Sequence, residues 1–391
     1  MQLIVEGWRF IPHSYAIVNQ FQLLALQAYP QLELFHQDAP FAVADWQPVR
    51  GLMRPEQEAA IAAIPAPQPG QVADATLRLY GPFNFAAAPS QRTLVCAVTE
   101  WGKVTAVMQR AMKIASLKDL VLDPRVTIVT PSVWSQAGLV FSGIDPDRIV
   151  IIPHGFDPDL YHPVEEAERQ ALRCQLGWQD EFVFLNVSVM SNRKGIGLLL
   201  KAFAQIVQHY PQARLVLKGR EAIFGSRQSI AASSRAILST AEADRVRPRC
   251  QYMGDTLAFA EVAKLYQAAD VYVAPYVAEG FNLPVLEAAA CGLPVICTQG
   301  GPTDDFTHPD FALTIKSQRR AIELEGEERY GLFPDLEHLI SLMQTAIEHS
   351  AFMAQARQRG PAFVRERFTW QHVVEQLLQV MAPSEGSPSQ K

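Results

Sequence analysis

Apolar residues fall along this chain in short runs separated by longer stretches of helical spacing. The runs Leu3-Ile4-Val5, Leu32–Phe35, Leu77–Tyr80, Leu94–Val98 and Val126–Thr130 have the length and β-branched content of buried strands. Between several of them lie helical patterns, the first from about Tyr15 to Tyr29, while the Pro- and Ala-rich stretch 61–70 reads as a loop. Strands alternating with helices predict a parallel α/β sheet. Ile149–Ile152, stopped by Pro153 and Gly155, closes this series, and the turn-rich stretch after it predicts a domain boundary near residue 155. A second series follows, with strands predicted at Phe182–Val189, Arg214–Leu217, Gln251–Met253, Asp270–Ala274 and Pro294–Thr298. Helices are predicted at Gly197–His209, Ala258–Ala268 and Pro284–Cys291, and over most of 335–381. The ending APSEGSPSQK, residues 382–391, is poor in apolar residues and predicts a disordered tail.

Composition narrows the class. The 391 residues are 49% hydrophobic and carry a net charge of −6, so the chain can bury sizeable cores and lacks the basic excess of a nucleic-acid binder. The five cysteines are scattered without a CxxC pair, which fits reduced thiols in a cytoplasmic protein and spells no zinc site. The opening MQLIVEGWRF has no basic region of a signal peptide. Residues 10–32 have no charged side chain, but Pro12, His13, Asn19, Pro30 and four glutamines predict a buried helix rather than a membrane span. Lys103, Arg110, Lys113 and Lys118 alternate with apolar residues, a pattern open to peripheral contact with anionic lipid, to a charged acceptor, or to a solvated helix face. Asp304-Asp305 and the two Asp-Pro-Asp triplets read as turn chemistry, and no metal is assigned to them.

Residues 270–305 hold the strongest chemical signal. A strand through Val271-Tyr272-Val273 opens into a loop with Glu279 and Gly280, Pro284 suits the first turn of a helix, Gly292 suits its end, and the next strand follows at once. Ligands of parallel sheets bind beyond the carboxyl ends of the strands, where a helix N-terminus offers free N–H groups to phosphate. Glu279 and Glu287 sit close to such a site, where they could accept hydrogen bonds from sugar hydroxyls or serve as capping and solvated carboxylates.

The Glu-x7-Glu spacing of Glu279 and Glu287, set in EGFNLPVLEAAACGLPVI, resembles the donor-site signature of the retaining GT-B glycosyltransferases of family 4, the glycogen synthase and sucrose synthase type. The stretches VWSQAGLVFSGIDPDRIVIIPHGFDPDLYHP, FLNVSVMSNRKGIGLLLKAF, LAFAEVAKLYQAADVYVAPYVAEGF and RERFTWQHVVEQL are similar to that family in the same order, over about residues 127–380. The resemblance implies two Rossmann-like parallel-sheet domains facing across a cleft. Residues 1–155 would form the acceptor side and 156–365 the nucleotide-sugar donor domain, with a terminal helix over 366–381 returning to the first. It implies that Glu279, with the backbone of Gly280, Phe281, Asn282 and Leu283, holds the donor sugar, that Glu287 binds the ribose, and that Lys194 neutralises the diphosphate. The chain departs from the family pattern at Val189-Met190, where a Gly-Arg pair is usual, and at Asn282, where glycine is usual; Arg193 either takes over the missing charge or points to solvent.

The family's glycine-rich first loop is reduced here to Gly7, still placed to face the cleft. His13 reads either as a contact to donor or acceptor or as a histidine bonded at a helix start, and Ser14 reads equally well as the N-cap. Glu100, in TEWG, stands where relatives place a cleft histidine, and reads as a reaction-site residue or as a carboxylate at a helix N-terminus. His154 and Gly155 are expected in the hinge.

The activity so implied is transfer of a sugar from a nucleotide-sugar to an acceptor hydroxyl, with retention and without a cofactor or metal. Polysaccharide, lipid-linked sugar and small-molecule acceptors all stay open. The rival readings are a nucleotide-sugar epimerase, a phosphorylase, or a non-catalytic glycosyltransferase-like subunit. Dehydrogenase and P-loop readings are disfavoured, because Leu200 replaces the third glycine after Gly195-Ile196-Gly197 and no GxxxxGK[ST] occurs.

Overall fold

The structure is a computed structural model and describes residues 1–382, so the tail expected over 382–391 lies, apart from Ala382, outside the described residues. The first sheet is built from β1 (Gln2–Gly7), β2 (Glu33–Asp38), β3 (Ala73–Leu79), β4 (Ser90–Cys96), β5 (Val126–Thr130) and β6 (Ile149–Ile151). The second is built from β7 (Phe182–Val187), β8 (Ala213–Lys218), β9 (Cys250–Met253), β10 (Val271–Ala274), β11 (Val295–Thr298) and β12 (Ala312–Ile315). Their orders are β2-β1-β3-β4-β5-β6 and β12-β11-β10-β7-β8-β9. All pairs within both sheets are parallel, with helices in the connections. This is the pair of Rossmann-like domains expected, each reversing its strand order beside its first strand, where ligands of open parallel sheets bind.

The strand faces are buried on both sides, so β7 reads as the unbroken run Val183-Phe184-Leu185 and all three side chains are fully buried. The last helix, Trp370–Met381, leaves the second domain and packs on the helix Ser14–Leu26 of the first. There the Trp370 and Phe21 rings stack at 6.0 Å. The crossing segments pair through Phe156, whose N–H donates to the Phe368 carbonyl at 2.9 Å and whose carbonyl accepts from the Trp370 N–H at 3.2 Å.

An antiparallel hairpin, β13 (Ser317–Leu324) and β14 (Glu327–Pro334), projects from the second domain and was not expected from the sequence. It clasps the first domain. The Tyr330 N–H donates to the Trp101 carbonyl at 3.0 Å, Glu327 accepts from the Ala106 N–H at 2.9 Å, and the Lys103 ammonium donates to the Glu328 carbonyl at 3.0 Å. Of the basic run, Lys103 is thus engaged within the protein, and only Ala106–Ala111 is α-helical there.

Two local expectations are corrected. Ser14 is already helical, and His13 caps the helix instead, in extended conformation with its Nδ1 accepting from the Tyr15 N–H at 3.2 Å. The loop expected over 61–70 starts only after the helix Pro55–Ala62. The Asp-Pro-Asp triplets are turns, with Asp145 and Asp157 each accepting from the N–H two residues on. Among the described residues no helix is long and apolar enough to cross a membrane.

Candidate active site

Between the domains lies a cavity of about 490 Å³, lined from both sheets' carboxyl ends. Its second-domain wall depends on one close backbone approach. The turn Asn192–Lys194 after β7 ends at Gly195, which has φ +71°, and a Cβ there would overlap the Pro275 carbonyl oxygen. Glycine therefore lets the turn press against the loop after β10, where the Arg193 carbonyl accepts from the Val277 N–H at 2.8 Å. That contact sets Arg193 and Lys194 beside Glu279.

The charges then alternate across the cleft. Glu100, from the first domain, pairs with Arg193 at 2.7 Å; Arg193 also lies 3.4 Å from Glu279; Glu279 accepts from the Lys194 ammonium. Arg193 thus faces the site rather than solvent. Burial opposes its charge, but Glu100 and Glu279 outweigh that and hold it above its usual value. Burial is stronger at Lys194, whose ammonium is held below its usual value despite Glu279.

Asn282 precedes the helix Leu283–Ala290 with φ +79°, the left-handed region that asparagine tolerates better than other side chains. The position where glycine is usual in the family thus keeps a glycine-like backbone. Gly280 touches the first domain directly, its carbonyl accepting from the Ser132 hydroxyl at 2.7 Å. Glu287 is buried one turn inside the helix and accepts from the Tyr266 hydroxyl at 2.8 Å. Burial raises its pKa, opposed by Tyr266, Arg220 and Tyr161.

Lys218 and Arg220 complete the wall, and sequence reasoning missed both. Lys218 ends β8 and Arg220 follows it, so the same strand-end logic that singled out Glu279 applies to LVLKGR. Lys218 is held down to about 8 by burial and by Arg220. Arg220 reaches across the cleft to the Pro12 carbonyl.

On the first-domain side, Glu100 and His13 both line the cavity. His13 stacks on Tyr15, and burial plus the Arg220 charge lower it to about 4. Gly7 is not brought to the cavity: it ends β1 against Asn19, whose amide a Cβ would meet at 2.7 Å. His154 lies at the domain junction, edge-on to Phe281 at 5.0 Å. Asp304 and Asp305 accept from the Gly300 and Val133 N–H groups at 2.8 Å, the second across the domain boundary. Among the described residues no three His, Cys, Asp or Glu side chains converge as metal ligands would. Four cations of the second-domain wall, a helix N-terminus and two buried carboxylates in one cavity suit a sugar joined to a nucleoside by a diphosphate.

Residues 181–318 match the family model "Glycosyl transferases group 1". Mannosylfructose-phosphate synthase of Agrobacterium fabrum is 26% identical to this chain over 244 residues, 60% of this chain and 48% of that one. D-inositol 3-phosphate glycosyltransferase of Segniliparus rotundus is 33% identical over 162 residues, 40% of this chain and 33% of that one. The chain therefore spans less than half the length of these curated relatives. The crystal structure of Anabaena HepE in complex with UDP-glucose superposes with a TM-score of 0.67 at 17% identity, covering 97% of this chain and 99% of that one. The chain shares the GT-B fold with that structure.

Proposed function

We propose that the chain transfers a sugar from a nucleotide-sugar to an acceptor hydroxyl, with retained anomeric configuration and no requirement for a bound metal ion. The observation that carries this reading is the row Glu100–Arg193–Glu279–Lys194 along the cleft floor. Without donor, the two cations are neutralised by the two carboxylates. A donor diphosphate would take over Arg193 and Lys194, leaving Glu279 to accept hydrogen bonds from the sugar hydroxyls.

Lys194, Arg193, Lys218 and the helix N-terminus at Leu283 would lie where charge develops on a departing nucleoside diphosphate. Fixed cations in a water-poor site stabilise such a leaving group without reorganising. Glu287 would accept from the ribose hydroxyls, its carboxylate held by Tyr266 and Arg220. Retention follows if the departing phosphate oxygen takes the acceptor proton as the new bond forms on the same face, and no side chain then has to act as a strong nucleophile. The positive charge that a metal would bring elsewhere comes here from four side chains.

The test is nucleotide release from UDP-, GDP- and ADP-sugars, beginning with UDP-glucose, the molecule in the HepE complex. Lys194→Ala and Glu279→Gln, checked for folding by circular dichroism, should each lower turnover by about 10²–10³. Proton NMR of the fresh product reads the anomeric configuration, and EDTA should leave the rate unchanged. Donor binding with no release under any condition would favour the non-catalytic subunit, and absence of both would refute the reading.

A further inference from the structure

The two halves of the cavity differ in chemistry. The second-domain half is charged. The first-domain half is walled by Leu79, Phe83, Cys96, Val98, Val104 and Met108. Phe83 and Val104 belong to one apolar cluster against which Tyr15 and Met108 pack.

Several polar groups on this side are already engaged within the protein. The Thr99 hydroxyl donates to the Ser135 carbonyl at 3.1 Å, and the Thr105 hydroxyl accepts from the Met108 N–H at 3.3 Å. The Lys103 ammonium is held by Glu328 and Glu327 of the hairpin, and His13 Nδ1 by the Tyr15 N–H. A sugar buried here would lose water from many hydroxyls and regain few partners, a cost of buried polar groups left unpaired. A molecule with an apolar body would lose nothing. Ser14, Tyr15, Glu100 and Trp101 also line the cavity, enough to receive one hydroxyl.

We propose that the first-domain half of the cavity is a subsite for an acceptor alcohol whose body is apolar, a hydrocarbon chain or fused ring carrying the hydroxyl at its donor-facing end. This rests on the transferase reading for its role as acceptor site, but binding of the apolar body is independent of turnover. Burial of one methylene is worth about 0.8 kcal/mol, so each carbon added to a straight-chain alcohol lowers its Kd about fourfold while the chain is still entering the pocket.

The experiment titrates the full chain with the straight-chain alcohols from butanol to nonanol, with 2-naphthol, and with glucose and maltose. Binding is read from tryptophan emission, since Trp101 lines the cavity. The expected result is a Kd that falls about fourfold per carbon, with 2-naphthol and octanol competing and the sugars not binding. Met108→Glu, with Met108→Gln as a milder second variant, raises the octanol Kd at least tenfold while the UDP Kd stays within twofold. The ratio of octanol to 2-naphthol affinity says whether the natural body is chain or ring. A Kd flat with chain length, or unmoved in both Met108 variants, overturns the proposal. Transfer of sugar to maltose that octanol does not inhibit also overturns it while leaving the transferase reading intact. Graded octanol binding with no sugar released from any donor upholds the apolar subsite and refutes the transferase reading instead.

Discussion

Gly280→Ala tests whether the observed approach of the two domains is the working one. A Cβ at Gly280 would overlap Val98 Cγ1 of the opposite domain. The same Cβ would lie 3.5 Å from the Thr99 carbonyl oxygen and 3.6 Å from Val98 Cβ, ordinary contacts both. One methyl group is therefore the whole obstruction. Valine is stiff at χ1, so relief needs an off-rotamer Val98 or a slight parting of the domains, about 1–3 kcal/mol. If the closed arrangement is needed for turnover, kcat/KM falls about 5- to 150-fold. Val98→Ala removes the offending methyl, so the double variant should return to within about threefold of Val98→Ala alone. The assay is donor hydrolysis without acceptor, so that the altered acceptor wall does not enter, with melting temperatures measured in parallel. Full activity in Gly280→Ala, or failure of Val98→Ala to restore it, would show that the Gly280–Val98 contact does not form during turnover.

Three further outcomes follow from the same geometry. Asn282→Gly should keep the melting temperature and activity, whereas Asn282→Val should cost about 1–2 kcal/mol, measured by denaturant unfolding, because φ +79° is strained for a β-branched residue. Lys218 loses its proton above about pH 8, so kcat/KM for the donor should fall as pH rises through that value, and Lys218→Arg should move the limb upward. His154 is held down to about 3 by burial, against about 6.5 unfolded, so its contribution is complete above pH 6.5 and is lost as pH falls from 6.5 towards 3. The loss is about 2–4 kcal/mol, its edge facing the cavity reducing the full shift, and His154→Gln should flatten the fall of melting temperature with pH.

The parallel sheets were legible because their strands are buried on both faces: Val126–Thr130 is expected and observed with the same ends, and β7 differs only at its carboxyl end. The hairpin was not, because β13 is solvated on both faces and QRRAIELEGEERYG shows no alternation. Its one local signal was Glu325-Gly326, both at positive φ, the two-residue turn that joins twisted strands. At the site, Glu279, Glu287 and Lys194 were legible because spacing and strand ends fix them. Lys218 and Arg220 were passed over because their strand end carries no paired acids. Gly7 was expected in the cleft because it is the one glycine of its loop, yet its space is filled by Asn19. Ser14 has the side chain of a cap, but helical conformation begins with it, which left the task to His13.

The placement of the last helix has a consequence for synthesis. The apolar side of Ser14–Leu26, with Phe21 at its centre, is covered by Trp370–Met381, the last segment of the described chain to leave the ribosome. At about 5–20 residues per second, the helix Ser14–Leu26 waits roughly 20–70 s for its covering helix. The second domain, contiguous in between, can close its own sheet first. The first described domain is thus finished after the second, and any nascent chain arrested before residue 370 displays an uncovered apolar helix.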